Sequence, residues 1–335
     1  MELCRGSRSD PYPFALIAID YRNLGRSGLI VSTIGLGCNN FGRLRTATET
    51  QEGTDAVIHA AIDAGVTLFD TAEIYGAVRG LSETLMGNSL GKRRGDIVLA
   101  TKFGMDMQGA NGPDWGARGS RRYVRLAVEA SLRRLQTEWI DQYQLHVPDP
   151  LTPIEETLDA LDDLITEGKI RYIGHSNLAG WQIAEAEYVA RLHEHPKFIS
   201  AQHEYSLIVR DAEREVLPAV REFGLGFLPF FPLYNGLFTG KFTRQGGPAD
   251  SRIMHTRPHL LESAPWDAMD RYAQFCADRD IGMLEATFAW LLAQPALTSV
   301  IAGATKPEQI EQNARASTSW PLSPAEVDEI TAIFD

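Results

Sequence analysis

From Val31 onward the chain alternates between two rhythms. Short apolar runs read as strands: "VSTIGLGC" (31–38), "VTLFDTA" (66–72), "DIVLATKF" (96–103), "IDQYQLH" (140–146), "IRYIGHS" (170–176), "FISAQHEYS" (198–206), "GFLPFFPL" (226–233) and "TSVIAGA" (298–304). The stretches between them carry helical periodicity, clearest over 153–168, where Ile154, Leu158, Leu161 and Ile165 share one face between acidic positions. Thr152 with Glu155, Thr305 with Glu308 and Ser323 with Glu326 have the spacing of a capping box, and Pro153 and Pro324 fall where a first helical residue belongs. Eight strand–helix repeats without a break in composition predict parallel strands closed into a (β/α)8 TIM barrel. The expected organisation is a flexible extension over 1–20 and a single domain over 21–335. An open dinucleotide-binding sheet is the rival, but Gly35, Gly37 and Gly42 give G-x-G-x-x-x-x-G rather than G-x-G-x-x-G.

Composition narrows the function classes. The 335 residues are 44% hydrophobic and 23% charged, and no apolar run approaches the ~20 residues of a membrane helix. The apolar stretch within the first 20 residues is short and closed by Asp20, so it does not read as a signal segment. A net charge of -12 would repel a phosphate backbone, and the basic runs "GKRRG" (91–95) and "RGSRR" (118–122) have no aromatic platform beside them, which argues against nucleic acid. Cys4, Cys38 and Cys276 are odd in number and far apart, which fits neither a disulfide framework nor a metal site and points to a reducing cytoplasm. His193 and His195, two apart, read as solvated residues on different faces of a helix, so no metal is expected.

In a barrel of this kind, reactive groups come from the C-terminal ends of several strands and meet on one face. The second run ends in Asp70 with Tyr75 just beyond, the third in Lys102, the fourth in His146, and the fifth in Ser176 and Asn177. An ammonium at Lys102 would favour the phenolate of Tyr75 and lower its pKa from near ~10. Asp70 would hold that ammonium, and a neutral His146 would orient a carbonyl by donating a hydrogen bond. None of these groups carries hydride, so a cofactor is required. Ser176, Asn177 and Gln202 are suited to a nicotinamide carboxamide, Phe230 or Tyr205 to stacking on its ring, and the helix opened by "AGATKPEQIEQN" to a phosphate. Glu73 reads as an ordinary loop charge.

These four residues, together with "YRNLGRSGLIVSTIGLGCNNFG", "FDTAEIYG", "YQLHVPDP", "IEETLDALDDLITEGKIRYIGHSN" and "GLFTGKF", resemble the aldo-keto reductases from Tyr21 to Asp335. The likeness is to short-C-terminus bacterial members related to potassium-channel β subunits. It implies a TIM barrel that reduces a small carbonyl substrate with NADPH, NADH being the second option. Tyr75 would be the general acid, Lys102 and Asp70 its tuning pair, and His146 the orienting group. The resemblance also implies cofactor contacts from Ser176, Asn177, Gln202, Phe230 and Leu233, and from Gly303, Ala304, Thr305, Lys306, Gln309, Gln312 and Asn313. The alternative it allows is an NADPH-holding regulatory module with little turnover. Three departures from the family pattern stand out: Phe230–Phe231 where tyrosine–serine is common, Ala302 in place of a proline with Gln312 before Asn313, and Gly303 where many members carry a lysine for the 2′-phosphate. Lys306 or Arg315 would then substitute for that lysine.

Phe41, Phe103 and Trp115 are expected to wall an apolar substrate pocket. The glycine-rich stretch 108–120 reads as mobile. The long connection from Tyr234 to about Ala264 is expected to fold over a bound pyrophosphate as a lid.

Overall fold

The computed structural model describes residues 19–249 and 251–335. Most of the extension expected over 1–20, including Cys4, therefore lies outside the described residues. Ile19 is buried, and the carbonyl of Asp20 accepts from Thr33 N at 2.9 Å, so these two residues pack with the rest of the chain.

Each of the eight apolar runs contains one barrel strand. A hairpin of β1 (Tyr21–Asn23) and β2 (Ile30–Ser32) comes first. The barrel follows as β3 (Ile34–Gly37), β4 (Leu68–Asp70), β5 (Val98–Phe103), β6 (Ile140–Leu145), β7 (Ile170–Ser176), β8 (Ser200–Glu204), β9 (Gly226–Phe230) and β10 (Val300–Gly303). Neighbours in sequence are parallel neighbours in space, and β10 returns to pair with β3. The seam between β9 and β10 is closed by Phe227 N to Ala296 O at 2.8 Å and Thr298 N to Phe227 O at 2.9 Å. The hairpin was not anticipated: Val31 and Ser32, read as the start of the first barrel strand, belong to β2.

Side chains alternate across each strand, so every strand feeds two cores. Leu68, Ala100, Leu228 and Ile301 point into the barrel and, with Leu24 and Val31 of the hairpin region, form an apolar plug at its lower end. Opposite faces, such as Leu36, Phe69, Leu99 and Tyr143, pack under the surrounding helices. The helix Ile154–Thr166 shows how the predicted periodicity works: Leu158 and Leu161 are fully buried, while Ile154 and Ile165 flank them partly covered.

Helix starts divide the capping predictions. Ser323 and Glu326 form the reciprocal box ahead of Pro324–Phe334, with Pro324 in its first turn. Thr152 instead donates to Asp149 at 2.7 Å, and Pro153 is the cap residue of the Ile154 helix with no side-chain bond. Thr305 lies one residue outside the cap of Pro307–Ala316, its N–H given to Gln309 Oε1 at 2.8 Å. A local spacing cannot show whether the threonine has a nearer partner.

The described cysteines Cys38 and Cys276 are both free and buried. Among the described residues no helix is long and apolar enough to cross a membrane, and no group of three or more ligating side chains could hold a metal. His195 lies beyond its helix, which ends at His193, because Glu194 turns left-handed at the C-cap. The two imidazoles therefore stack at 5.9 Å rather than facing apart, beside Glu155 and Asp162.

Candidate active site

Strand register determines which groups meet. Asp70 ends β4, Lys102 is the penultimate residue of β5, and Lys102 is registered against Gln144 on β6. All three side chains point inward and are buried. Lys102 Nζ donates to Asp70 Oδ2 at 2.6 Å and to the Thr71 carbonyl at 2.9 Å. Asp70 Oδ1 accepts from Gln144 Nε2 and Gln202 Nε2, each at 3.0 Å. A buried carboxylate is costly unless its lone pairs are matched, and here three donors match them.

Tyr75 and His146 stand half-buried above this floor. Lys102 Nζ is 5.4 Å from the centre of the Tyr75 ring, and the Tyr75 and His146 rings meet edge to face at 5.9 Å. The four tip residues are thus brought together. Burial raises the Tyr75 phenol above its ordinary range, Lys102 opposes that rise and Asp70 adds to it. The lowering expected from Lys102 alone is overturned, because desolvation of the phenolate outweighs the nearby ammonium. Burial works against the Lys102 ammonium too, but Asp70 and Tyr75 more than offset it and its pKa ends up raised. His146 is pushed down to about 3 by burial and by Lys102, which leaves it neutral as expected. The floor therefore presents a protonated phenol, a retained cation and a neutral imidazole, a set suited to receiving a carbonyl oxygen.

Above the floor lies a cavity of about 830 Å³. Tyr75, His146, Ser176, Asn177, Gln202 and Phe230 line its lower part, and Leu233, Gly303, Thr305, Lys306, Gln309, Gln312 and Asn313 line it further out. Ala304 is buried and does not line it. Tyr205, the other candidate for stacking, is fully buried against Trp290 with its hydroxyl on Glu213, which leaves Phe230 as the available ring. Of the two substitutes for the family's lysine, Lys306 lines the cavity, whereas Arg315 pairs with Glu311.

The amide trio is only partly free. Ser176 Oγ donates to the Gln202 carbonyl at 2.9 Å, and Asn177, left-handed at φ 61°, donates to the His146 carbonyl and to Ser176 Oγ. No protein donor reaches Asn177 Oδ1 or Gln202 Oε1 among the described residues, and Asn235 Oδ1 is buried without a partner where it lines the cavity. Acceptors left open toward a cavity of this size fit a ligand rich in amide and hydroxyl donors, as a nicotinamide dinucleotide is.

The connection after β9 roofs the cavity. Phe231, Tyr234 and Asn235 have φ of 52°, 46° and 60°, and bulky residues seldom adopt such values outside functional turns. A 3-10 turn (Tyr234–Thr239) and a short helix (Arg252–Thr256) then bring Thr239, Lys241, Pro248 and Arg252 to the cavity.

The three expected pocket walls are not walls. Lys102 points inward, so Phe103, one residue later, points outward and stacks on Tyr143 at 4.7 Å in the helix-facing core. Phe41 is fully buried in that same core. Trp115 is 76% exposed, with the Arg122 guanidinium 4.4 Å over its ring. None of the three lines the cavity.

Glu73 is not a solvated loop charge either. Fully buried, it accepts from Gly104 N at 2.9 Å and Asn111 Nδ2 at 2.5 Å, while Arg134 bridges Asn111 and the buried Glu83. Burial and then Glu83 push its carboxyl up to about 8. Glu73 thereby ties the glycine-rich 108–120 stretch, read as mobile, to the loop that carries Tyr75.

Two further groups went unread in the sequence. Gln144 had a usable signal, since Gln142 and Gln144 alternate polar on a strand whose other residues are mostly apolar. Arg43, Arg252 and Arg257 had none, because 209 positions separate the first from the second and only the fold unites them.

An eight-stranded parallel barrel with a lysine–aspartate pair, a phenol and an imidazole at its strand tips, opening on a large polar cavity, defines the class as that of barrel oxidoreductases. The chain belongs to the Aldo/keto reductase family, which it matches over residues 33–335. It is similar to the oxidoreductase YrpG of Bacillus subtilis (strain 168), with 37% identity over 89% of this chain and 91% of the relative. It is also 36% identical to a "Probable voltage-gated potassium channel subunit beta" of Oryza sativa subsp. japonica, over 94% of this chain and 96% of that one. The L-glyceraldehyde 3-phosphate reductase of Escherichia coli (strain K12) is 32% identical over 93% and 91%.

Proposed function

We propose that the protein reduces aldehydes or ketones to alcohols with NADPH, reversibly, and that Tyr75 supplies the proton. The observation that carries this reading is the Lys102–Asp70 pair at 2.6 Å beneath a protonated Tyr75 and a neutral His146. When bound, the nicotinamide cofactor supplies the hydride to the carbonyl carbon. His146 orients the carbonyl oxygen, Tyr75 passes its hydroxyl proton to that oxygen, and Lys102 stabilises the phenolate left behind. Asp70, gripped by Gln144 and Gln202, keeps Lys102 charged and aimed.

Ser176, Asn177 and the free oxygen of Gln202 would hold the carboxamide, and Phe230 would back the ring. Lys241 and Lys306, both at the cavity, would meet the phosphates, and the Tyr234–Ala264 roof would cover them. The printed name of the Escherichia coli relative, a reductase of an aldehyde, supports carbonyl reduction, and that of the Bacillus subtilis relative supports an oxidoreductase. The likeness to channel β subunits supports a second reading, a module that holds NADPH and seldom turns over.

Stopped-flow fluorescence of bound NADPH, mixed with a carbonyl panel that includes 4-nitrobenzaldehyde, separates the two. Rapid oxidation is expected. Persistent NADPH across the whole panel would favour the sensor.

A further inference from the structure

Of the four tip residues, Tyr75 stands farthest from a strand. It lies five residues beyond β4, in the connection to the helix Leu81–Leu90, yet its proton must arrive at the carbonyl oxygen that His146 orients. His146 is tied to β5 by its own N–H, given to the Phe103 carbonyl at 2.8 Å. The Tyr75 loop needs a comparable tie to the same strand.

Glu73 provides it with both its main chain and its side chain. Its N–H donates to the Lys102 carbonyl at 3.2 Å, two residues after Thr71 N donates to the Ala100 carbonyl at 2.9 Å, so the parallel ladder runs on past the end of β4. Its carboxyl Oε1 then accepts from Gly104 N at 2.9 Å. One residue therefore clamps the Tyr75 loop at Lys102 and at Gly104, on either side of the carbonyl that fixes His146.

The clamp is itself braced. Glu73 Oε2 accepts from Asn111 Nδ2 at 2.5 Å, and Arg134 Nη1 donates to Asn111 Oδ1 at 2.9 Å. Arg134 Nε donates to Glu83 Oε2 at 2.6 Å, and Thr101 Oγ1 donates to Glu83 Oε1 at 2.6 Å. The circuit thus starts and ends on the chain segment that carries Lys102. Glu73 and Glu83 are both fully buried, and among the described residues the Arg134 guanidinium pairs directly with Glu83 alone. A packed apolar side chain would often hold two loops together at least as stably as buried acids do. It would not set a direction, whereas a polar network with its members bonded does.

We propose that Glu73 is a positioning residue for the proton transfer: it clamps the loop of Tyr75 to β5 so that the phenol hydroxyl, Lys102 and His146 face one point. Neither Glu73 nor Asn111 lines the cavity, so the effect reaches the substrate through Tyr75. The proposal rests on the reductase reading above and adds to its machinery a residue that touches neither cofactor nor carbonyl. A displacement of about 1 Å at a reacting group can slow a step about 10²-fold, whereas cofactor binding by the other loops is untouched.

Single turnover of bound NADPH, followed by stopped flow with the carbonyl of the panel that reacts fastest, separates position from folding. Misfolded protein lowers the amplitude, whereas a displaced phenol lowers the rate constant. Glu73→Ala removes both side-chain bonds and should slow the rate constant about 10²-fold, with the NADPH dissociation constant within about twofold of the parent. Glu73→Gln keeps an acceptor for Gly104 N and should recover to within about fivefold, and Asn111→Ala, which removes only the brace, should slow the step about tenfold. A Glu73→Ala rate constant within about twofold of the parent would overturn the proposal whatever its amplitude, and so would Glu73→Gln as slow as Glu73→Ala. Should Glu73→Ala yield no folded protein, Asn111→Ala decides by the same threshold. A parent that oxidises no bound NADPH with any carbonyl would instead end the reductase reading, and with it the role of Glu73.

Discussion

At the floor of the cavity, Asp70, Lys102, Gln144 and Gln202 arrive on strand tips with the carboxylate and the ammonium already matched to partners. At the rim, Arg43, Arg252 and Arg257 arrive on loops and a short helix and form no salt bridge among the described residues, with Glu204 in Coulombic reach of Arg257. The charges of the floor are paired with each other and those of the rim are not. Groups that must hold a fixed protonation state are placed where the backbone is rigid and desolvated, whereas the cations of the rim sit on loops without a salt-bridge partner.

The sharpest way to break that contrast is at the phenol. Tyr75→Phe keeps the ring and removes the proton, so carbonyl reduction should fall by about 10³-fold, while the NADPH dissociation constant, read by fluorescence titration, stays within a factor of about two. Near-parental turnover would disprove the role given to the floor. Lys102→Met leaves Asp70 buried without its cation, which should cost about 3 kcal/mol in urea unfolding as well as most of the activity. An unchanged midpoint would mean that the pair is not structurally important.

Removing the rim helix Arg252–Thr256 should act on binding and, because Ile253 is fully buried in the core, on folding as well. The expected result is a rise of about tenfold in the NADPH dissociation constant together with a lower unfolding midpoint. An unchanged dissociation constant would remove that segment from the cofactor site.

Glu73 offers a smaller, pH-dependent test. Its folded carboxyl is raised to about 8, so it contributes most when protonated, at low pH, and that contribution is lost as pH climbs from the ordinary carboxylate range through about 8. Glu73→Gln should flatten the decline in melting temperature over that interval. Parallel curves for parent and variant would show that Glu73 is ionised throughout. His146, held near 3, predicts the least change: no inflection of kcat between about pH 5 and 8 that disappears in His146→Asn.

Much of the barrel was legible because parallel strands buried on both faces leave continuous apolar runs, and helices covering them leave a 3.6-residue stripe. The pocket walls were misread although a local rule was available. Once Lys102 is known to point inward, alternation sends Phe103 outward, and an aromatic near the site is not thereby in it. Glu73 was misread for the opposite reason. Nothing local marks it as buried, since its partners Gly104 and Asn111 come from the next strand and loop.

The sequence by itself determined the order of the barrel strands, the barrel class and the four tip residues, because each depends on periodicity and on the position of a residue at the end of a strand. Only the tertiary structure decided that the phenol is raised rather than lowered, that Gln144 and Gln202 brace Asp70, and that Arg43, Arg252 and Arg257 lie close together. Those outcomes depend on burial and on distances across the barrel. Desolvation and Coulomb energies vary with depth and separation in space, and neither is encoded in the spacing of residues along a chain.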